Sequence, residues 1–391
     1  MGYSSNALDQ RPEVTALEFF AGIGLARAGM AAAGIETIWA NDHDKDKESM
    51  YSNQWGSGEY LLEDVHKVAA ETVPTADVAW SSSPCTDLSL AGMRGGLEKG
   101  RESSAFYGFI RVLKKMENQG RLPQVVVLEN VVGLATSHGG EDLRAAALQF
   151  NDLGYSVDVV TLDARSWLPQ SRPRIFMVGA THPINGGLLE TSLRPDWISK
   201  LHADETIRTH VTPTTLPPAL MTEGFTDKIE LLPEDDTRWW DNSRVAKFLG
   251  AMSTGQRKRL NQFVEAPDVT ARTAYRRTRA GVPMWEMRPD DISGCLRTAR
   301  GGSSKQAVVL MGNGNLRIRW MIGLEYAQLM GADTFTLDGL RDSQVHYGFG
   351  DAVAVPAVKW VAEEMILPTL WTPDTDKVMR NQTTRKELAN A

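Results

Sequence analysis

Through its first 180 residues the chain alternates short, unbroken apolar runs with stretches whose apolar positions recur at helical spacing. "VTALEFF" is a buried strand that runs into "AGIG"; "LARAGMAAAG" has helix composition and stops at Gly34. "IETIWAND", "ADVAWSSSP", "QVVVLENV", "YSVDVVTL" and "RIFMVGA" are further strands, and "DKDKESMYSNQW" and "EDLRAAALQFNDLG" are helices. In "SAFYGFIRVLKKME" the residues Phe106, Phe109, Ile110 and Leu113 share one helical face. Strands that alternate with helices and are apolar throughout predict an α/β fold, with a mostly parallel sheet covered on both faces.

Near residue 181 the texture changes. Up to about Gly302, prolines, threonines, tryptophans and charges mix without clear period, and "TPTTLPP" and "LLPEDDTRWWDN" have loop composition. This predicts a catalytic and cofactor-binding domain over 1–180 and a smaller, loop-rich domain over 181–318. Periodicity returns in "RWMIGLEYAQLMG" and "AVAVPAVKWVAEEMI". We therefore expect a return segment over 319–391 whose helix, 351–366, packs back on the first domain.

Composition narrows the setting. No apolar run approaches the roughly 18 residues a membrane helix needs, and "MGYSSNALDQRPE" has no apolar core of a secretory signal. The only cysteines, Cys85 and Cys295, stand far apart, so a disulfide framework and a four-cysteine zinc site are excluded by count. No metal site is expected, and a cytoplasmic, reducing setting is. The net charge of −7 argues against a general nucleic-acid coat. Basic clusters remain at 257–259 and at Arg272, Arg276, Arg277 and Arg279; each is either a solvated face or a local binding face.

Candidate chemistry gathers at the ends of the predicted strands. Gly22 and Gly24 stand where the first strand turns into the first helix, and such glycines let a ligand approach the backbone. The third glycine of a dinucleotide fingerprint is absent, since position 27 is arginine. Asp42 ends the second strand at the distance expected for a ribose diol, and Asp64-Val65 follow in "LEDVHKV". Cys85 comes just after "ADVAW", Glu129 and Asn130 close "VVLEN", and Gln170, Arg172 and Arg174 precede a later strand. Singly, each has an ordinary reading: a buried structural thiol, a turn, a surface arginine. Jointly they put thiol, carboxylate and guanidinium near one nucleoside-shaped crevice.

Taken in order, these motifs resemble the DNA (cytosine-5)-methyltransferases. "EFFAGIG", "NDHD", "EDV", "SSPCTDLS", "LENV", "QSRPRIF", "RIRWMIGLEYAQLMG" and "HYGFGDAVAVPAV" match the family's motifs from one end of the chain to the other. Thr86, Glu18, Leu25 and Asp351 depart from the usual glutamine, aspartate, glycine and asparagine. The resemblance implies a Rossmann-like methyltransferase domain, with Cys85 as a nucleophile that adds to carbon 6 of cytosine. It makes Glu129 the partner of the ring nitrogen and amine, with Arg172 and Arg174 as the catalytic cations. It implies S-adenosylmethionine held by Phe20, Gly22, Ile23, Gly24, Asp42, His43, Asp64, Val65, Pro84 and Asp351.

The same resemblance makes 181–318 a target-recognition domain for duplex DNA. Arg272, Arg276, Arg277, Arg279, Gly301 and Gly302 would contact DNA there, and Trp285 and Tyr275 would stack. A monomer is implied, with a cognate restriction endonuclease acting separately. A transfer-RNA cytosine methyltransferase of the same fold is the main alternative, and a nucleotide-cofactor oxidoreductase a distant one. Cys295, in the ordinary setting "SGCLRT", is expected to be silent.

Overall fold

A computed structural model describes residues 13–84, 105–298 and 305–371. Cys85, Thr86, Gly301 and Gly302 lie outside the described residues. The first lobe contains strands β1 (Val14–Phe19), β2 (Ile35–Asp42), β3 (Tyr60–Leu62), β4 (Val78–Ser81), β5 (Val125–Val131), β6 (Ser156–Asp163) and β7 (Pro173–Ala180). They form one sheet in the order β3-β2-β1-β4-β5-β7-β6. The first five are parallel, and β7 is antiparallel to both β5 and β6. Helices α1 (Leu25–Ala32), α2 (Lys45–Trp55), α3 (Ala105–Asn118) and α4 (Glu141–Asp152) make the crossovers. Strand order reverses between β1 and β4, which opens a crevice at their carboxyl ends.

The chain beyond residue 180 does not leave this lobe at once, so the boundary expected there is corrected. Helix α5 (Asp196–His202) sends Ile198 and Leu201 into the same core as Phe150 and Tyr155. The backbone at 208–210 pairs with the outer edge of β6, where Arg208 O accepts from Val157 N and His210 N donates to Val157 O. Asp158, fully buried on β6, accepts from Arg194 at 2.7 and 3.0 Å and from Thr212 N at 2.9 Å. The segment therefore covers an edge that would otherwise be open.

The small lobe is more regular than its sequence texture. Helices α6 (Asn242–Gly250) and α7 (Thr254–Glu265) precede β8 (Thr270–Arg279), β9 (Val282–Met287), β10 (Ala307–Gly312) and β11 (Asn315–Trp320). These strands form an antiparallel sheet in the order β11-β10-β8-β9. Trp240, Phe248, Leu260, Trp285, Met287 and Ile318 make its core.

The return segment comprises α8 (Gly323–Leu329), α9 (Asp342–Asp351) and α10 (Val355–Val361), the last running on through a π turn to Leu370. The helix expected from 351 thus starts four residues later, because residues 352–354 break it from α9. It lies against α1 so closely that a β-carbon on Gly29 would come 2.4 Å from Val358 Cβ. The first sheet is accordingly buried twice. Leu17, Phe19, Val126 and Leu128 face α3 and α4, whereas Ala16, Val78, Val125 and Val127 face α1 and α10. This double burial is why the strands are apolar without alternation.

Candidate active site

The carboxyl ends of β1, β2, β4 and β5 open into a cavity of about 680 Å³. Its nucleoside-sized end is built by the turn after β1. Phe20 and Gly22 both take φ of 57°, and both line the cavity. The left-handed backbone is strained at Phe20 and natural at Gly22. Asp42, 6% exposed, ties the neighbouring strand ends together. Gly22 N donates to it at 3.0 Å, His43 N at 2.7 Å and Asp44 N at 3.1 Å. Its position is thus fixed by three backbone donors, while lone pairs remain for a ligand.

Two residues absent from the expected set line this end. Glu18, 1% exposed, accepts from Arg27 N at 3.1 Å through Oε1, and Oε2 is buried without a partner among the described residues. Burial pushes its carboxyl up to about 8. Lys47, from α2, donates to Asp351 at the end of α9 at 2.8 Å. Burial works against the ammonium charge, but Asp42 and Asp351 outweigh it and hold Lys47 above the ordinary lysine value. No sequence spacing announces this pair, since its partners are 304 residues apart.

Several expected cofactor residues stand elsewhere. Ile23 is buried and supports the turn from behind, where its carbonyl accepts from Trp55 Nε1 at 3.2 Å. Gly24 is an αL residue whose β-carbon would come 2.4 Å from the same Nε1. It lets α2 approach rather than lining the cavity. Asp64 is exposed and caps a short 3₁₀ turn by accepting from His66 N, and Val65 is in the core; neither lines the cavity. His43, Pro84 and Asp351 do line it.

The other end carries the reactive polar groups. Glu129 lies near the carboxyl end of β5, and antiparallel pairing sets Val131 opposite Arg174 on β7. Arg174 Nε consequently meets Glu129 Oε1 at 3.1 Å, with both side chains largely buried. Asn130 Nδ2 donates to Ser83 O at 3.0 Å and so holds the segment that reaches Pro84 on the cavity wall. The next residue in the sequence is Cys85.

Arg172 is corrected from catalytic cation to clamp. It is 1% exposed and off the cavity wall, donating to Leu296 O at 2.7 Å, to Gly350 O at 3.1 Å and to Ala352 O. Burial, and then the neighbouring Arg174, lower it to about 10, so it stays cationic at neutral pH. Cys295, in turn, lines the cavity. Burial raises its thiol, but Arg172, Arg174 and Arg297 more than reverse this and leave its pKa below the usual thiol value.

The expected DNA-contact arginines separate by strand register. Arg272 is 9% exposed, pairs with Asp291 at 3.1 Å and donates to Ala271 O, so it braces the small lobe. Arg277 and Arg279 share Glu286, to which Tyr275 also donates. Trp285, 9% exposed, is a core residue. Arg276 alone of the four is exposed without an ion pair among the described residues.

The model of the C-5 cytosine-specific DNA methylase family matches residues 14–367. The chain is 32% identical over 163 residues to type II methyltransferase M.Bsp6I of Bacillus sp. (strain RFL6), covering 41% of this chain and 50% of that protein. It is 26% identical over 363 residues to type II methyltransferase M.HaeII of Haemophilus aegyptius, covering 90% and 93%. The chain thus spans about half the length of the first relative and nearly all of the second. In fold it is similar to the S. pombe Dnmt2 methyltransferase, at TM-score 0.60 and 16% identity over 91% of this chain and 99% of that one. It is also similar to the Entamoeba histolytica methyltransferase EhMeth, at 0.61 and 13% over 93% and 100%. With the family's match running through both lobes and the return segment, the chain belongs to the C-5 cytosine-specific DNA methylase family.

Proposed function

We propose that the protein methylates carbon 5 of a cytosine in duplex DNA, with S-adenosylmethionine as donor and Cys85 as covalent catalyst. One observation carries this reading. The Glu129–Arg174 pair and Pro84, the residue before Cys85, line the same cavity as Phe20, Gly22 and Asp42. A base-handling end and a nucleoside-shaped end therefore share one space.

The residues present fit the donor. Asp42 supplies a fixed carboxylate for a ribose, and Gly22 leaves room beside Lys47. Lys47 and Asp351 form a charge pair complementary to an amino-acid zwitterion, and the partnerless Glu18 oxygen remains free to hydrogen-bond a ligand. When bound, S-adenosylmethionine supplies an electrophilic methyl group.

The chain's own residues do the rest. The Cys85 thiolate adds to carbon 6, and ring electrons shift to make carbon 5 nucleophilic. Glu129 accepts from the amine through one oxygen and, through a carboxyl proton on the other, donates to the ring nitrogen, an interaction that strengthens as the ring gains charge. Arg174 holds Glu129 in place and adds positive potential, which favours the thiolate. Once carbon 5 carries the methyl group, its proton leaves to a base and the thiolate is expelled. A cytosine inside the duplex is out of reach of Cys85, so the base must be flipped out. The small lobe then serves as the target-recognition unit.

The description of the family favours DNA over transfer RNA. Bisulfite sequencing of a plasmid recovered from expressing cells tests the reading. Protected cytosines in one repeated sequence context support it. A plasmid without protected cytosines, together with methyl transfer to transfer RNA by the same preparation, overturns it.

A further inference from the structure

The small lobe holds a second cavity, of about 370 Å³, that the reaction above does not use. Trp240, Trp285 and Trp320 line it, with ring centroids 5.1, 5.7 and 5.8 Å apart. Four cations join them: Arg244 and Lys247 from α6, Arg276 from β8, and Lys305 just ahead of β10. Among the described residues, no acid lines the cavity. None of the four cations has an ion-pair partner there, whereas Arg272, Arg277, Arg279, Arg288, Arg317 and Arg319 of the same lobe each meet a carboxylate.

Strand alternation separates Arg276 from Arg277 and Arg279. Arg276 shares a face of β8 with Ala274 and stands opposite Trp285, while Arg277 and Arg279 point to the other face with Glu286. Four unneutralised cations in one concavity repel one another, and an anion relieves this. The tryptophans add a demand for a flat ring. Arg244 Cζ lies 4.2 Å over the Trp240 ring and 5.2 Å from that of Trp320, so a planar cation already stacks against the indoles on this wall. A phosphate alone uses only the charge. A duplex is too wide to enter such a concavity. A single nucleotide, with one base and one phosphate, satisfies both.

Its place relative to the first cavity is bounded. Thr298 lines the catalytic cavity and Lys305 lines this one. Seven residue steps span at most about 25 Å when fully extended. That is roughly seven base-pair steps at about 3.4 Å each. One nucleic acid can therefore reach both.

We propose that this cavity is a nucleotide-binding site. It takes one unstacked nucleotide of the nucleic acid that flanks the target cytosine. The base stacks on Arg244 and the indoles, and the phosphate sits among Lys247, Arg276 and Lys305. The inference rests on the proposed function only for the identity of the strand.

The test titrates the full chain with a short fluorescein-labelled oligothymidylate and follows anisotropy and tryptophan quenching. Arg244→Ala and Arg276→Ala should each weaken binding about tenfold, in line with the loss of one base or phosphate contact. Arg276→Ala should also reduce the slope of log affinity against log salt by about 0.7. Arg276 is exposed on its strand, so this variant keeps the core; Lys67→Ala, an exposed cation of the first lobe, is the control and should bind as wild type. Thymidine monophosphate should displace the label more readily than inorganic phosphate does. Arginine variants that bind within twofold of wild type overturn the proposal, as does equal displacement by phosphate and by the nucleotide. Because no methyl transfer is read, a failure of the methylation assay leaves this test standing.

Discussion

Glu18 shows what a single residue's surroundings can do. An ordinary carboxyl of about 4.5 is raised to about 8 by burial, so the folded chain holds a proton that the unfolded chain has lost between those values. Stability then falls as pH rises through this window, by up to a few kcal/mol at ~1.36 kcal/mol per unit, and is unaffected below it. Glu18→Gln should flatten the dependence of thermal midpoint on pH between about 5 and 8; an unchanged slope would contradict the assignment. Binding residues have their own signature. Asp42→Ala and Lys47→Met should each weaken S-adenosylmethionine by roughly 1.5–3 kcal/mol in calorimetric titration, the worth of a hydrogen bond to a charged group. Lys47→Met should matter less for methylthioadenosine, which lacks the amino-acid end; an equal loss for both ligands argues against the zwitterion fit. Asp42 and Glu129 were legible in the sequence because each ends an apolar run. Lys47 was not, because its meaning comes from a contact between α2 and α9.

At the scale of elements, the parallel strands were readable because double burial makes them continuously apolar. The small sheet was not, although "MGNGNL" carries a strong local signal. Asn313 and Gly314 take φ of 53° and 77° between paired Gly312 and Asn315, the two-residue turn that asparagine-glycine favours. Strand β8 hid for a different reason: its buried positions 271–274 are Ala271, Arg272, Thr273 and Ala274, so no bulky apolar alternation marks it. Register also separates the roles of its arginines. Arg272→Ala strips Asp291 of its cation and should lower stability by about 1–3 kcal/mol in urea unfolding. The salt slope of DNA binding should stay unchanged in that variant. A lowered slope with unaltered stability would return Arg272 to the DNA surface.

Across the whole molecule, order along the chain and position in space diverge in two places. Residues 193–212 follow the last strand of the first lobe yet finish its edge, through Asp158, Arg194 and Thr212. The last helix returns to α1 from the far end of the chain. The first departure was illegible because short polar contacts carry it; the second was legible from the period of "AVAVPAVKWVAEEMI". Both serve one end, a rigid cavity whose wall includes Asp42 from β2, Glu129 from β5, Arg174 from β7 and Asp351 from α9. The central claim is that the thiol next to Pro84 bonds to a cytosine held there. Its most direct test is the mass of the complex formed with S-adenosylmethionine and duplex DNA carrying 5-fluorocytosine at the methylated position. Fluorine cannot leave carbon 5 as a proton, so the thiolate cannot be expelled. Wild type should yield a stable protein–DNA adduct linked through Cys85, and Cys85→Ala should yield none. An adduct of equal yield from Cys85→Ala, or one mapped to Cys295, would contradict the account.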